Sequence, residues 1–171
     1  MRLSGLVIFV LLLGSTAFVY LGFSKPDISF RTHVSVNAPV ERTYSVFTDT
    51  SKASTWVADL VRVDLLRGDP GAVGSFYRLN FIQDGKAVIA TQHYVALQPA
   101  SRVAYDVELP NSNNSVEVLF EPLTRGTRIT TYNTVRGKGL FWQAMLQLKK
   151  GSLSAQQQAN YRRFKAIVER Q

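Results

Sequence analysis

Apolar and polar residues alternate with a period of two along several short stretches of the chain. Phe30, Thr32, Val34 and Val36 alternate with Arg31, His33 and Ser35, the pattern of a strand with one buried face. The same period recurs at Val61, Val63 and Leu65, at Tyr77, Leu79 and Phe81, and at Val103, Tyr105 and Val107. It continues at Val116, Val118 and Phe120 and at Ile129, Thr131, Asn133 and Val135. Residues 87–97 also predict a strand, whose phase the pattern leaves open. Turn compositions rich in Gly, Pro, Asp and Asn separate these runs at 67–71, 84–85, 98–100, 110–114 and 124–126, so consecutive strands join as an antiparallel meander. Helical spacing marks two other regions. Pro39 at the first helical position, Glu41 in the first turn and Val40, Tyr44 and Phe47 behind them predict a helix over 39–48. A second short helix carrying Trp56 is expected near 51–57. Phe141, Met145 and Leu148, then Tyr161, Phe164, Ile167 and Val168, repeat at helical spacing on either side of a Gly151-Ser152 interruption. The simplest assembly is an α+β domain in which a curved antiparallel sheet wraps around one long C-terminal helix, with two short helices after the first strand.

The first 23 residues stand apart. From Gly5 to Phe23 no residue is charged, a run of 19. At about 1.5 Å per residue such a helix reaches roughly 28 Å, close to the thickness of a bilayer core. This predicts an uncleaved N-terminal transmembrane anchor over residues 1–23, followed by a globular domain over 24–171. Ser15-Thr16-Ala17 supplies the small residues of a signal-peptidase site, so a cleaved signal and a secreted product is the alternative. Phe18 to Phe23 extend the apolar run past that site, which favours the anchor. Arg2 and the amino terminus precede the span. The positive-inside rule then places the domain on the outer, periplasmic or extracytoplasmic side.

The order of short motifs in the domain resembles the START/polyketide cyclase (SRPBCC) superfamily with its helix-grip fold. The resemblance covers about residues 28–169. It rests on Val36-Asn37-Ala38-Pro39-Val40-Glu41 entering the first helix, Phe47-Thr48-Asp49 leaving it, and Trp56 beyond. Val73-Gly74-Ser75, Gln98-Pro99, Phe120-Glu121-Pro122 and Gly126-Thr127-Arg128-Ile129-Thr130 follow in the expected order. Thr43-Tyr44 stands where such proteins often carry Val-Trp. The resemblance implies a pocket between sheet and helix. Superfamily members include lipid carriers, ubiquinone-binding proteins and polyketide cyclases, so the fold alone names no activity.

A sheet that grips a helix leaves room for an apolar ligand, held by buried area and oriented by a few polar groups. The alternation proposes the lining: Val61, Val63, Tyr77, Leu79, Phe81, Val103, Tyr105, Val118, Phe120, Ile129, Thr131 and Asn133, closed by Trp56, Met145, Tyr161 and Phe164 from the helical side. Each of these residues can equally be ordinary core. Asn133 and Thr131 are the most informative, because an inward amide or hydroxyl needs a partner. For catalysis, His93 is a candidate acid or base, provided its strand turns it inward, with a pocket tyrosine as the alternative. His33 falls on the solvent phase of its strand. The carboxylates Asp106, Glu108, Glu117 and Glu121 take the outward phase, which leaves no inward acid pair. No metal-ligand spacing is present and no cofactor is expected. Three functions follow: a membrane-tethered domain binding a hydrophobic, lipid-like small molecule, a polyketide cyclase/dehydrase-type enzyme using His93 or a pocket tyrosine, or a protein-interaction module with a filled cavity.

Composition narrows these readings. The chain has 171 residues, 46% of them hydrophobic, and no cysteine. That excludes a disordered protein, disulfides, thiolate metal sites and a cysteine nucleophile. The formal net charge is +8, and the excess lies in the last third of the chain. Residues 122–171 carry ten Lys or Arg and a single acid, Glu169. Lys149, Lys150, Arg162, Arg163 and Lys165 on the closing helix are therefore expected to lean on anionic lipid headgroups beside the anchor. The stretch matches no nucleic-acid-binding motif, so nucleic acid is not an expected partner.

Overall fold

A computed structural model describes Val7, Leu11, residues 13–16, residues 18–20 and residues 27–170. The described N-terminal residues are helical. Most of the expected anchor, with the cleavage position after Ala17, lies outside the described residues. Among those described, no helix is long and apolar enough to cross a membrane.

Seven strands form one antiparallel sheet: β1 (Asp27–Val36), β2 (Leu60–Arg67), β3 (Phe76–Gln83), β4 (Lys86–Gln98), β5 (Arg102–Glu108), β6 (Ser112–Pro122) and β7 (Thr127–Gly137). The spatial order is β1-β7-β6-β5-β4-β3-β2. The chain thus meanders from β2 to β7, and β1 closes the far edge against β7 over Asp27↔Arg136 to Val36↔Thr127. Between β1 and β2 run two short helices, α1 (Val40–Thr48) and α2 (Ala53–Trp56). The long helix α3 (Leu140–Arg170) crosses the concave face.

Helix α1 starts one residue later than the sequence predicts. Pro39 precedes it with φ −57° and an extended ψ of 152°. Its carbonyl accepts from the Thr43 amide at 3.0 Å and from Thr43 Oγ1 at 2.9 Å. This bond places polar Thr43 in a fully buried site at no hydrogen-bonding cost. The helix α3 is continuous through Gly151, so the expected interruption is not a break. A glycine lowers helix propensity without ending a helix whose other residues pack. Tyr161, Phe164 and Val168 lock the second half of α3 into the core. There Phe47 and Trp56 meet the Phe164 ring at centroid distances of 5.8 and 5.2 Å, and Phe47 meets Phe120 edge-on at 5.4 Å. The last turn is tied down as well, because Glu169 Oε1 accepts from the Asn37 amide at 2.7 Å.

Two strands depart from the simple alternation. The β2–β3 register shifts between Leu60 and Arg62. The bulge turns Leu60 inward and leaves Val61 56% exposed, and Leu65 is also exposed. A single extra residue in a strand moves its neighbours to the opposite face, so Val61 is not a lining residue. In β6, pairing begins at Ser112 rather than after a turn ending at Asn114, so Asn113 and Asn114 belong to the strand.

Candidate functional site

Between the concave face of the sheet, α2 and the middle of α3 lies a cavity of about 310 Å³. Six of the expected residues line it: Val63, Leu79, Phe81, Tyr105 and Asn133 from the sheet and Trp56 from α2. The others pack elsewhere. Val118, Phe120 and Phe164 belong to the close-packed core. Thr131 Oγ1 and the Tyr161 hydroxyl are buried and hydrogen-bonded to each other, away from the cavity. The Tyr77 hydroxyl accepts from the Gly71 amide at 2.7 Å and thereby holds the loop before β3. Met145 is half-buried on α3 and does not reach the lining. For Tyr77, Val103, Val118, Phe120, Ile129, Tyr161 and Phe164 the core assignment is the correct one.

The strand β4 decides the fate of His93. Ala90, Gln92 and Tyr94 face the concave side, with Ala90 and Tyr94 buried and Gln92 on the cavity wall. His93 therefore points to the convex face. It stacks on Phe76 at 4.3 Å with the rings nearly parallel, and pairs in register with Asp106. Its imidazole is separated from the cavity by the thickness of the sheet and cannot exchange a proton with anything bound there.

Phe30, Val107, Val116 and Val135, on the same alternating phase, line the cavity too, whereas the rest of the polar lining and Tyr94 were not legible from the alternation. Gln92 and Tyr94 lie in the strand of unsettled phase, and Asn114 falls in a stretch that reads as a turn. Leu153, Gln156, Gln157 and Asn160 line the cavity from α3, where polar residues at helical spacing resemble a solvated face. The wall consists of apolar side chains interspersed with seven carboxamides, and no Asp, Glu, Lys, Arg or His contributes to it. Some of these amides are engaged. Asn160 Oδ1 accepts from the Ala58 amide at 3.0 Å and ties α3 to the end of α2. Three of the lining residues carry a buried polar atom without a hydrogen-bond partner: Trp56 Nε1, Asn133 Nδ2 and Asn114 Oδ1. Asn133 and Asn114 are diagonal neighbours on adjacent strands, since Val116 pairs with Asn133 and Asn114 with Val135.

The ionisable groups on the wall are the phenols of Tyr94 and Tyr105. Burial pushes Tyr94 up to about 12, partly offset by hydrogen bonding with Gln92. Burial drives Tyr105 further in the same direction. Both remain protonated at neutral pH, so they act as hydrogen-bond donors rather than bases. Among the described residues, no group of three or more His, Cys, Asp or Glu could hold a metal ion.

Residues 27–169, nearly the whole described domain, match the family described as polyketide cyclase/dehydrase and lipid transport. The chain belongs to this family. No curated protein matches it in sequence. Solved structures resemble it closely in fold and distantly in sequence. One is the Zhui aromatase/cyclase from Streptomyces sp. R1128, at 18% identity and a TM-score of 0.70, covering 84% of this chain and 94% of that one. Another is protein CV1439 from Chromobacterium violaceum, at 20% identity and a TM-score of 0.68, covering 82% of this chain and 96% of that one. The di-domain ARO/CYC StfQ of the steffimycin biosynthetic pathway matches at 19% identity and a TM-score of 0.69, with 84% of this chain spanning 51% of that one. At such identities the likeness is one of fold.

Proposed function

We propose that this chain is a membrane-tethered domain that holds a hydrophobic, lipid-like small molecule in the cavity under α3, without carrying out chemistry on it. The observation that carries the reading is a cavity with a largely apolar wall, of which three residues, Trp56, Asn133 and Asn114, each carry a buried polar atom that no protein group satisfies. A buried polar atom without a partner costs about 1–3 kcal/mol, and a ligand that pairs with it recovers that energy. A cavity of about 310 Å³ equals roughly ten water volumes. That suits one fused ring pair or a short isoprenoid or acyl tail, rather than a whole two-chain phospholipid. Open space argues against a filled interaction module. The outward His93 and the protonated tyrosines argue against acid–base catalysis of the cyclase kind.

Tethering through residues 5–23 is supported by what surrounds the start of α3. Leu140, Phe141, Trp142 and Leu148 are exposed, and Lys149 and Lys150 follow directly, both exposed. The Phe18 ring lies 5.8 Å from Phe141, which brings this residue of the apolar N-terminal run to the same surface. Arg162 and Arg163 are about 18 Å further along the helix, and Lys165 is engaged with the Ser35 carbonyl and Glu169. The basic surface is thus two patches, and the one at Lys149 and Lys150 adjoins the aromatic residues.

Native mass spectrometry of the full chain, extracted from cells in detergent, tests the binding function. A co-purifying adduct of small-lipid size is expected. If none is carried from cells and none binds when supplied, the carrier reading fails.

A further inference from the structure

The cavity wall has a property that hydrophobic binding alone does not require. Every polar group on it is neutral at physiological pH. The ionisable groups His93, Asp106 and Glu108 line a separate groove on the convex side of the sheet. We infer that the cavity selects an uncharged ligand bearing a carbonyl or hydroxyl oxygen, and discriminates against a carboxylate or ammonium of the same size. The inference rests on the cavity's being the binding site and names the class of ligand it takes.

The unpaired atoms specify the polar part of that ligand. The Trp56 indole N–H is a donor and nothing else, and Asn133 Nδ2 is also a donor. They call for an acceptor, which a carbonyl oxygen with two lone pairs supplies. Asn114 Oδ1 is an acceptor and calls for a hydroxyl or N–H. Trp56 and Asn133 are more than nine-tenths buried, with exposures of 7% and 3%, so water competes poorly for them. A carboxylate would also accept from both donors. It would, however, lose its hydration with no cation in reach, and the penalty for burying an unpaired ion exceeds what two neutral donors return. An ammonium meets the same penalty, with Asn114 Oδ1 as its one unpaired acceptor.

The test uses four matched probes: naphthalene, 2-acetylnaphthalene, 2-naphthoate and 2-naphthylmethylammonium. The readout is quenching of Trp56 in the full chain carrying W142F, which removes the other tryptophan from a site outside the cavity. At neutral pH the ketone is expected to bind roughly a hundredfold more tightly than the naphthoate. Naphthoate binding should strengthen by about tenfold per pH unit as acidification restores its neutral form, and ketone binding should not change. Asn133→Leu should weaken the ketone relative to naphthalene, whose continued binding shows that the cavity is intact. Asn133→Asp should raise affinity for the ammonium probe at least about tenfold, by supplying a counter-ion. Equal binding of ketone and naphthoate, or no gain by the ammonium in Asn133→Asp, overturns the inference. If naphthalene itself fails to bind, the cavity is not a binding site and the functional reading falls with it.

Discussion

Burial sets the protonation of the tyrosines that reach the interior. Tyr94 and Tyr161 are both pushed up to about 12, Tyr161 with partial relief from its bonds to Thr131 and Gln157. In the unfolded chain a tyrosine titrates near 10. Between these values the folded state holds protons that the unfolded state has released. The stability from this linkage is therefore complete below pH 10 and is lost as pH rises toward 12, by about 1.4 kcal/mol per pH unit per tyrosine. Urea titrations from pH 9 to 11.5 are expected to show this decline, and Tyr161→Phe should flatten it. Thr131→Val tests the buried pair itself. It removes one of the two hydrogen bonds of the Tyr161 hydroxyl, the other being to Gln157, and should cost about 0.5–1.5 kcal/mol in the same assay. At this scale the sequence pointed correctly to Asn133, because β7 alternates without irregularity from Ile129 to Val135. It could not place Gln92 or Asn114. An inward glutamine beside outward Ile89 and Val95 inverts the usual association of polarity with exposure, and both of those apolar residues are exposed.

Elements were legible wherever hydrophobic period and turn chemistry agreed. All seven strands and both short helices are present near their predicted positions. The bulge at the start of β2 was not legible, because one residue of register is decided by pairing with β3 and leaves no mark in composition. Gly151 was read as an interruption and is instead a tolerated weak point of α3. A methyl group there would meet nothing within 4 Å. Gly151→Ala is therefore expected to raise stability by about 1 kcal/mol, measured as a shift in the denaturant midpoint. Gly126 is the opposite case. It has φ +94°, and an added Cβ would lie 2.0 Å from the Val36 carbonyl oxygen. Gly126→Ala must displace the β6–β7 turn from the end of β1, and a loss of about 2 kcal/mol or more is expected.

At the scale of the whole molecule, the surface proposed to adjoin the tether and the cavity share one helix. Leu153, Gln156 and Asn160 line the cavity one to three turns beyond the exposed aromatic and lysine stretch of α3. A bilayer contact at that stretch would bring the cavity close to the source of an apolar ligand. The full chain in vesicles containing anionic lipid and bromine-labelled acyl chains tests this arrangement. Trp142 is expected to lose about half its emission, as befits an aromatic residue at the headgroup boundary. The loss should be absent in W142F and reduced when Lys149 and Lys150 are both changed to Glu. An unquenched Trp142 would mean that the domain stands away from the membrane.

By itself, the sequence determined the class of fold, because strand and helix periods, turn residues and their order are local properties that survive without knowledge of contacts. It also determined the uncharged N-terminal run and the concentration of basic charge after residue 122. Tertiary structure alone decided which inward residues border open space and which are core. That distinction depends on how far the sheet curves around α3, and Val118 and Val63 alternate identically along their strands while only Val63 meets the cavity. It also decided that His93 faces away, that Asn114 faces in, and that the wall carries amides and no charge. These are consequences of register and of the assembly of distant segments, in which a shift of one residue exchanges one face for the other.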